Sequence, residues 1–154
     1  MQSLKKLLDI HEPEMGAPLP MVICSEYRTS ICYNQAKASA YTGKINTNRD
    51  IENKPDKVAI VRFKNPRVWK FGEPNEDGQS IHPLVDLGLM DFYAFEVDNS
   101  KWVKRITCED NQVKHFLILF HDSMFEILAD SYSTHSLNSQ FVMDGCQNEI
   151  DCWP

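Results

Sequence analysis

Apolar and polar positions alternate most regularly between Lys114 and Ser131, KHFLILFHDSMFEILADS, the signature of two strands joined by a tight turn. With Asp122 and Ser123 as the turn, Phe120 pairs with Phe125, Ile118 with Ile127 and Phe116 with Ala129, which makes one unbroken apolar face. The opposite face is mixed. It pairs His115 with Asp130, Leu117 with Leu128, Leu119 with Glu126 and His121 with Met124. Six inward residues, three of them phenylalanine, contribute on the order of 10 kcal/mol gross before ordering entropy is subtracted.

The rest of the chain supplies shorter signals. Ser3 can cap a helix with Leu4, Leu7 and Leu8 on one face, ended by Pro13, Pro18 and Pro20. Met21 to Tyr27 reads as a strand, and the polar run from Ala36 to Lys57 as a long surface excursion. VAIVRF is rich in β-branched residues and predicts a strand from Lys57; Asn65 and Pro66 make a turn, and Val68 to Phe71 returns as a short strand. Pro83 suits the start of a helical turn through Leu84 and Leu87, closed by Gly88. Phe92 to Val97 is another strand, and Asn99 or Ser100 caps a helix over Lys101 to Glu109 with Trp102, Val103 and Ile106 inward. These elements predict a single α+β domain: a mostly antiparallel sheet of four to five strands with two or three short helices. Within residues 1–154 they separate an amino-terminal lobe (1–45), a core (58–131) and an acidic carboxyl-terminal segment (132–154).

Charge changes the picture more than composition does. All 16 Lys and Arg lie within residues 1–120, together with 16 of the 22 acids, so the net charge of −6 belongs to the last 34 residues. Hydrophobic runs reach only about five residues, far short of a membrane span. The amino terminus lacks an apolar stretch of secretory length, and five scattered cysteines without a CxxC pair suit reduced thiols in the cytoplasm. A bridge between Cys146 and Cys152 is the alternative. Lys57, Arg62, Lys64, Arg67 and Lys70 interleave with Phe63, Trp69 and Phe71, but alternation turns Phe63 away from Arg62 and Lys64, and a sequence pI near 5.3 argues against a polyanionic ligand.

The series FGEPNEDGQSIHPL (71–84), FYAFEV (92–97), SKW (100–102) and HFLILFHDSMFE (115–126) resembles a family of small uncharacterised bacterial proteins. They share a Phe-Gly turn with a Pro-Asn-acid tail, a His-Pro-Leu, a Ser-x-Trp and a closing Phe-His-Asp-Ser strand end. The likeness covers roughly residues 58–130. It implies that the loop and the hairpin tip belong together, and supplies no reaction. The amino-terminal lobe and the acidic tail lie outside it.

Candidate chemistry gathers at that junction: Glu73, Asn75, Glu76, Asp77 and His82 on the loop, and His115, His121, Asp122, Ser123 and Glu126 on the hairpin. The metal-binding spacings HxxxH, HExxH and HxH are missing, and His115 and His121 stand about 20 Å apart on one strand at roughly 3.3 Å per residue, too far for one ion. His121, Asp122 and Ser123 are consecutive, so they fan around a turn rather than form a hydrolase triad. Cys24 within MVICSEY reads as a small buried hydrophobe. Phosphate-loop and dinucleotide motifs are missing too, and no cofactor is expected.

Two functions are expected in consequence. The first is a non-catalytic cytoplasmic binding protein of inhibitor or immunity type, which meets a basic protein partner through Phe141, Asp144, Glu149, Asp151 and Trp153. The second is a small hydrolase using His82 with Glu73 or Glu76 and His121.

Overall fold

The computed structural model describes residues 1–37, 55–74, 79–106 and 112–152. Nine strands alternate with little helix: β1 (Ser3–Lys6), β2 (Met21–Cys24), β3 (Arg28–Asn34), β4 (Lys57–Lys64), β5 (Val68–Gly72), β6 (Ala94–Asp98), β7 (Lys114–Leu119), β8 (Met124–Ala129) and β9 (Ser131–Asn138). Among the described residues two α-helices accompany them, α1 (Lys101–Ile106) and α2 (Val142–Asp151), with 3-10 turns at Gln79–Ile81 and Val85–Leu87. Two antiparallel sheets result, ordered β1-β6-β7-β8-β5 and β2-β3-β4-β9. The α+β expectation holds at the level of one compact, mostly antiparallel domain; among the described residues the strands number nine in two sheets rather than four or five in one.

The apolar hairpin face decides where the core sits. Phe116, Ile118, Phe120, Phe125, Ile127 and Ala129 all enter one cluster between the sheets, met from the other side by Ile31, Tyr33, Ala59, Val61 and Phe63. Phe63 touches the rings of Phe116 and Phe125 at 5.8 and 5.6 Å between centroids. The turn, however, falls one residue earlier than expected. Phe120 N–H donates to the Ser123 carbonyl, and the ladder pairs Leu119 with Met124 and Leu117 with Glu126. The register is thus shifted by two residues, and a shift of even size leaves every side chain on its expected face.

Sheet-to-sheet crossing happens at one corner. β4 runs into β5 and β8 into β9, so a single two-stranded ribbon bends from one sheet into the other. Between the pairs Lys64–Ser131 and Val68–Leu128, residues 65–67 oppose only 129 and 130, a bulge of one residue. Asn65 takes φ 49° there and its amide donates to Asp130 at 2.7 Å. The expected β4–β5 turn is therefore a corner between sheets, not a hairpin.

Two further expectations are corrected, and the acidic segment gains a structure. Ser3–Lys6 is a strand, because alternation sends Leu4 to the outer layer beside Val97 while Leu7 enters the central core and Leu8 stays in solvent. Ile106 ends α1 half exposed instead of facing inward. The acidic segment folds: β9 pairs with β4 along eight residues, and α2 lies across the outer face of the second sheet on Cys32, Val58 and Ile60. The surface excursion lies mostly outside the described residues. Among the described residues no helix is long and apolar enough to cross a membrane.

Candidate functional site

The outer face of the first sheet carries a buried polar cluster. Glu126 of β8 faces Leu117 of β7 in register, which brings His115, two residues along, into diagonal contact: its Nε2 lies 2.9 Å from Glu126 Oε2. The segment after the first 3-10 turn lays His82 over the same face, with Nε2 3.2 Å from Glu126 Oε1. Lys70, the β5 partner of Glu126, sets Nζ 3.6 Å from Oε1 and 4.2 Å from the centre of the Trp102 ring. Trp102 in turn stands edge-on to His115 at 5.1 Å.

The hydrogen bonds assign the protons. Ser100 is the amino-terminal cap of α1: its Oγ accepts the N–H groups of Trp102 and Val103 at 3.2 and 3.3 Å. Its hydroxyl proton is left to donate to His115 Nδ1 at 2.9 Å, so His115 carries its proton on Nε2 and donates it to Glu126. His82 accepts the Leu84 N–H on Nδ1 at 3.3 Å and likewise donates through Nε2. Burial alone would push the Glu126 carboxyl up, but the hydrogen bonds from His115 and His82 and the electrostatic attraction of His115 and then of Lys70 outweigh it and hold it well below the usual carboxylate range. Ser100, His82, His115 and Glu126 are all buried. A serine in this state has both lone pairs and its proton engaged, which is the chemistry of a lock between α1, the loop and the hairpin.

Only part of the expected constellation assembles. His82 meets Glu126 and His115. Glu73 stays exposed at the end of β5, Glu76 lies outside the described residues with Asn75 and Asp77, and His121 sits at the hairpin tip with its ring stacked on Phe92 at 6.3 Å. Ser100, Lys70 and Trp102 were not expected as members. The alternation of β7 and β8 could have paired His115 with Glu126, had the turn been placed on His121 and Asp122.

The carboxyl-terminal residues divide by helix geometry. Val142, Gly145, Cys146 and Glu149 face the sheet. Glu149 is 0% exposed and takes a forked bond from Arg62, with Nε 2.8 Å from both carboxylate oxygens, and a third from the Ser30 hydroxyl at 2.7 Å. It is therefore unavailable to a partner, contrary to expectation, because its charge completes the core of the helix–sheet contact. Phe141, Asp144 and Asp151 are exposed, and Trp153 lies outside the described residues. Met143 and Ile150, 60% and 51% exposed, join them. At about 100° per residue they share one strip, with Gln147 beside them and Asp144 and Asp151 about 100° further round.

The class defined by these features is a two-sheet α+β protein with one buried His–Glu–His cluster and one bare helix face. No protein-family model, curated protein or solved structure matches the chain.

Proposed function

We propose that the chain is a non-catalytic cytoplasmic binding protein that docks a basic protein partner on the outer face of α2, in the manner of an inhibitor or immunity protein. The observation that carries the reading is the pairing on one helix of an exposed apolar strip, Met143 and Ile150, and an acidic strip, Asp144 and Asp151. Apolar anchors supply affinity and a neighbouring single-sign strip supplies orientation and on-rate. Residues 121–154 contain no Lys or Arg to cancel that strip.

A photo-cross-linking residue at position 147 tests it. The expected result is capture of one protein rich in Lys and Arg, lost in Asp144→Lys/Asp151→Lys and in Met143→Asp while the fold is retained. Capture that survives both variants defeats the reading.

A further inference from the structure

Three sulfur atoms from three elements meet beneath α2. Met21 of β2 and Cys32 of β3 are partners in register, and both side chains stand on the face that α2 covers. Cys146 comes down from the helix: its Sγ lies 3.9 Å from Met21 Sδ, and it shares one buried cluster with Cys32. Gly145 makes the approach possible, since a Cβ there would stand 3.6 Å from the Cys32 Cβ and 2.7 Å from a Val58 methyl. Cys32 and Cys146 are buried among Val58, Ile60 and Val142, whereas Met21 is 39% exposed, so the trio is dry inside and opens to solvent through the thioether.

With metal–sulfur bonds of about 2.3 Å, a trigonal centre sets its sulfurs about 4 Å apart, the spacing already held between Cys146 and Met21. We propose that Met21, Cys32 and Cys146 form a three-coordinate site for cuprous copper. Two thiols and a thioether are a soft donor set that selects Cu(I), and they fall short of the four N, S or O ligands of a tetrahedral zinc site. The neighbouring carboxylate, Glu149, is committed to Arg62 and Ser30. On binding, two S–H bonds break and two protons leave to solvent, two copper–thiolate bonds and one copper–thioether bond form, and the copper stays Cu(I). Burial raises both thiols, while the Arg62 guanidinium acts in the opposite direction on Cys32.

The test is an anaerobic titration with Cu(I) alone against a colorimetric cuprous chelator, in the full chain carrying Cys24→Ser, Cys108→Ser and Cys152→Ser. The expected result is one ion withheld per chain with thiolate-to-copper absorption in the near ultraviolet. Met21→Leu, which keeps volume on a partly exposed strand, should weaken retention by roughly tenfold or more, and Cys146→Ala should abolish it, both with an unchanged far-ultraviolet spectrum. A parent chain that yields all its copper to the chelator overturns the proposal, as do variants that hold copper as tightly as the parent.

Discussion

Replacing Glu126 by glutamine keeps the shape of the side chain and removes its charge, and the surrounding cluster sets the cost. Both imidazoles donate to the carboxylate, His115 at 2.9 Å and His82 at 3.2 Å. An amide has one oxygen and one NH2, so whichever way it turns, one imidazole N–H faces a donor. That ring must then move its proton to Nδ1, where it meets the Leu84 N–H in His82 or the Ser100 hydroxyl in His115. One buried donor left unsatisfied costs about 1–3 kcal/mol, and exchanging a charged acceptor for a neutral one adds about 1, so Glu126→Gln should destabilise by about 2–4 kcal/mol at pH 7 in urea unfolding. The pH dependence has a definite sign. Unfolded, Glu126 takes its proton near its ordinary value of 4.5, whereas the folded protein holds the carboxylate ionised to lower pH. Below about pH 4.5 the unfolded chain therefore binds more protons, and wild-type stability falls relative to the variant by up to about 1.4 kcal/mol per pH unit. Equal stabilities at pH 7, or a wild-type-to-variant gap that stays constant down to pH 3, would refute this account of the cluster.

Gly145→Ala should destabilise by about 1 kcal/mol in the same assay, because overpacking of about 1–3 kcal/mol against Val58 exceeds the helix-propensity gain of about 0.5–1; a stabilised variant would mean that α2 can lift off the sheet at little cost. Glu149→Leu should cost about 3 kcal/mol by leaving the Arg62 guanidinium unpaired, and adding Arg62→Met should recover most of it, so a double-mutant cycle with no coupling contradicts the pairing. Phe120→Ala removes a ring packed 5.2 Å from that of Tyr33 and should cost about 3–5 kcal/mol by urea unfolding, with a loss below 1 inconsistent with a filled core.

The face assignments of β7 and β8 were legible because their period of two survives an error of register, as the full membership of Phe116 to Ala129 in the core shows. The 3-10 turn closed by Gly88 at φ 88°, the Ser100 cap and the strand from Lys57 were legible for the same local reason: each is specified by a few neighbouring residues. What was hidden is non-local. SYSTHSLN reads as polar loop, and becomes strand β9 only because β4 offers it eight partners. Helix α2 lacks a side-chain cap, carries Gly145 in its middle and has no basic residue in its last turn, so packing on Cys32, Val58 and Ile60 rather than propensity holds it. The Glu149–Arg62 pair spans 87 positions and leaves no local mark. The His82–Glu126–His115 cluster was half visible: the residue types were there, but a turn placed one residue late set His115 opposite Asp130 instead of beside Glu126.

The acidity of residues 121–154 thus has two physical meanings. Glu126, Asp130 and Glu149 are tied to His82 and His115, to Arg67 and to Arg62, where each charge satisfies partners within the fold. Asp144 and Asp151 are not needed in that way. Asp144, in the first turn of α2, is favourable to the helix dipole and accepts the Ser139 hydroxyl at 2.5 Å. Asp151 closes the same helix, where a negative charge opposes the dipole by about 0.3–1 kcal/mol, and it accepts a hydrogen bond from Gln147 at 2.7 Å on the exposed side. A carboxylate placed against the interest of its own helix, beside a half-bare Ile150, makes more sense facing a cation from outside than as a contribution to the stability of the chain.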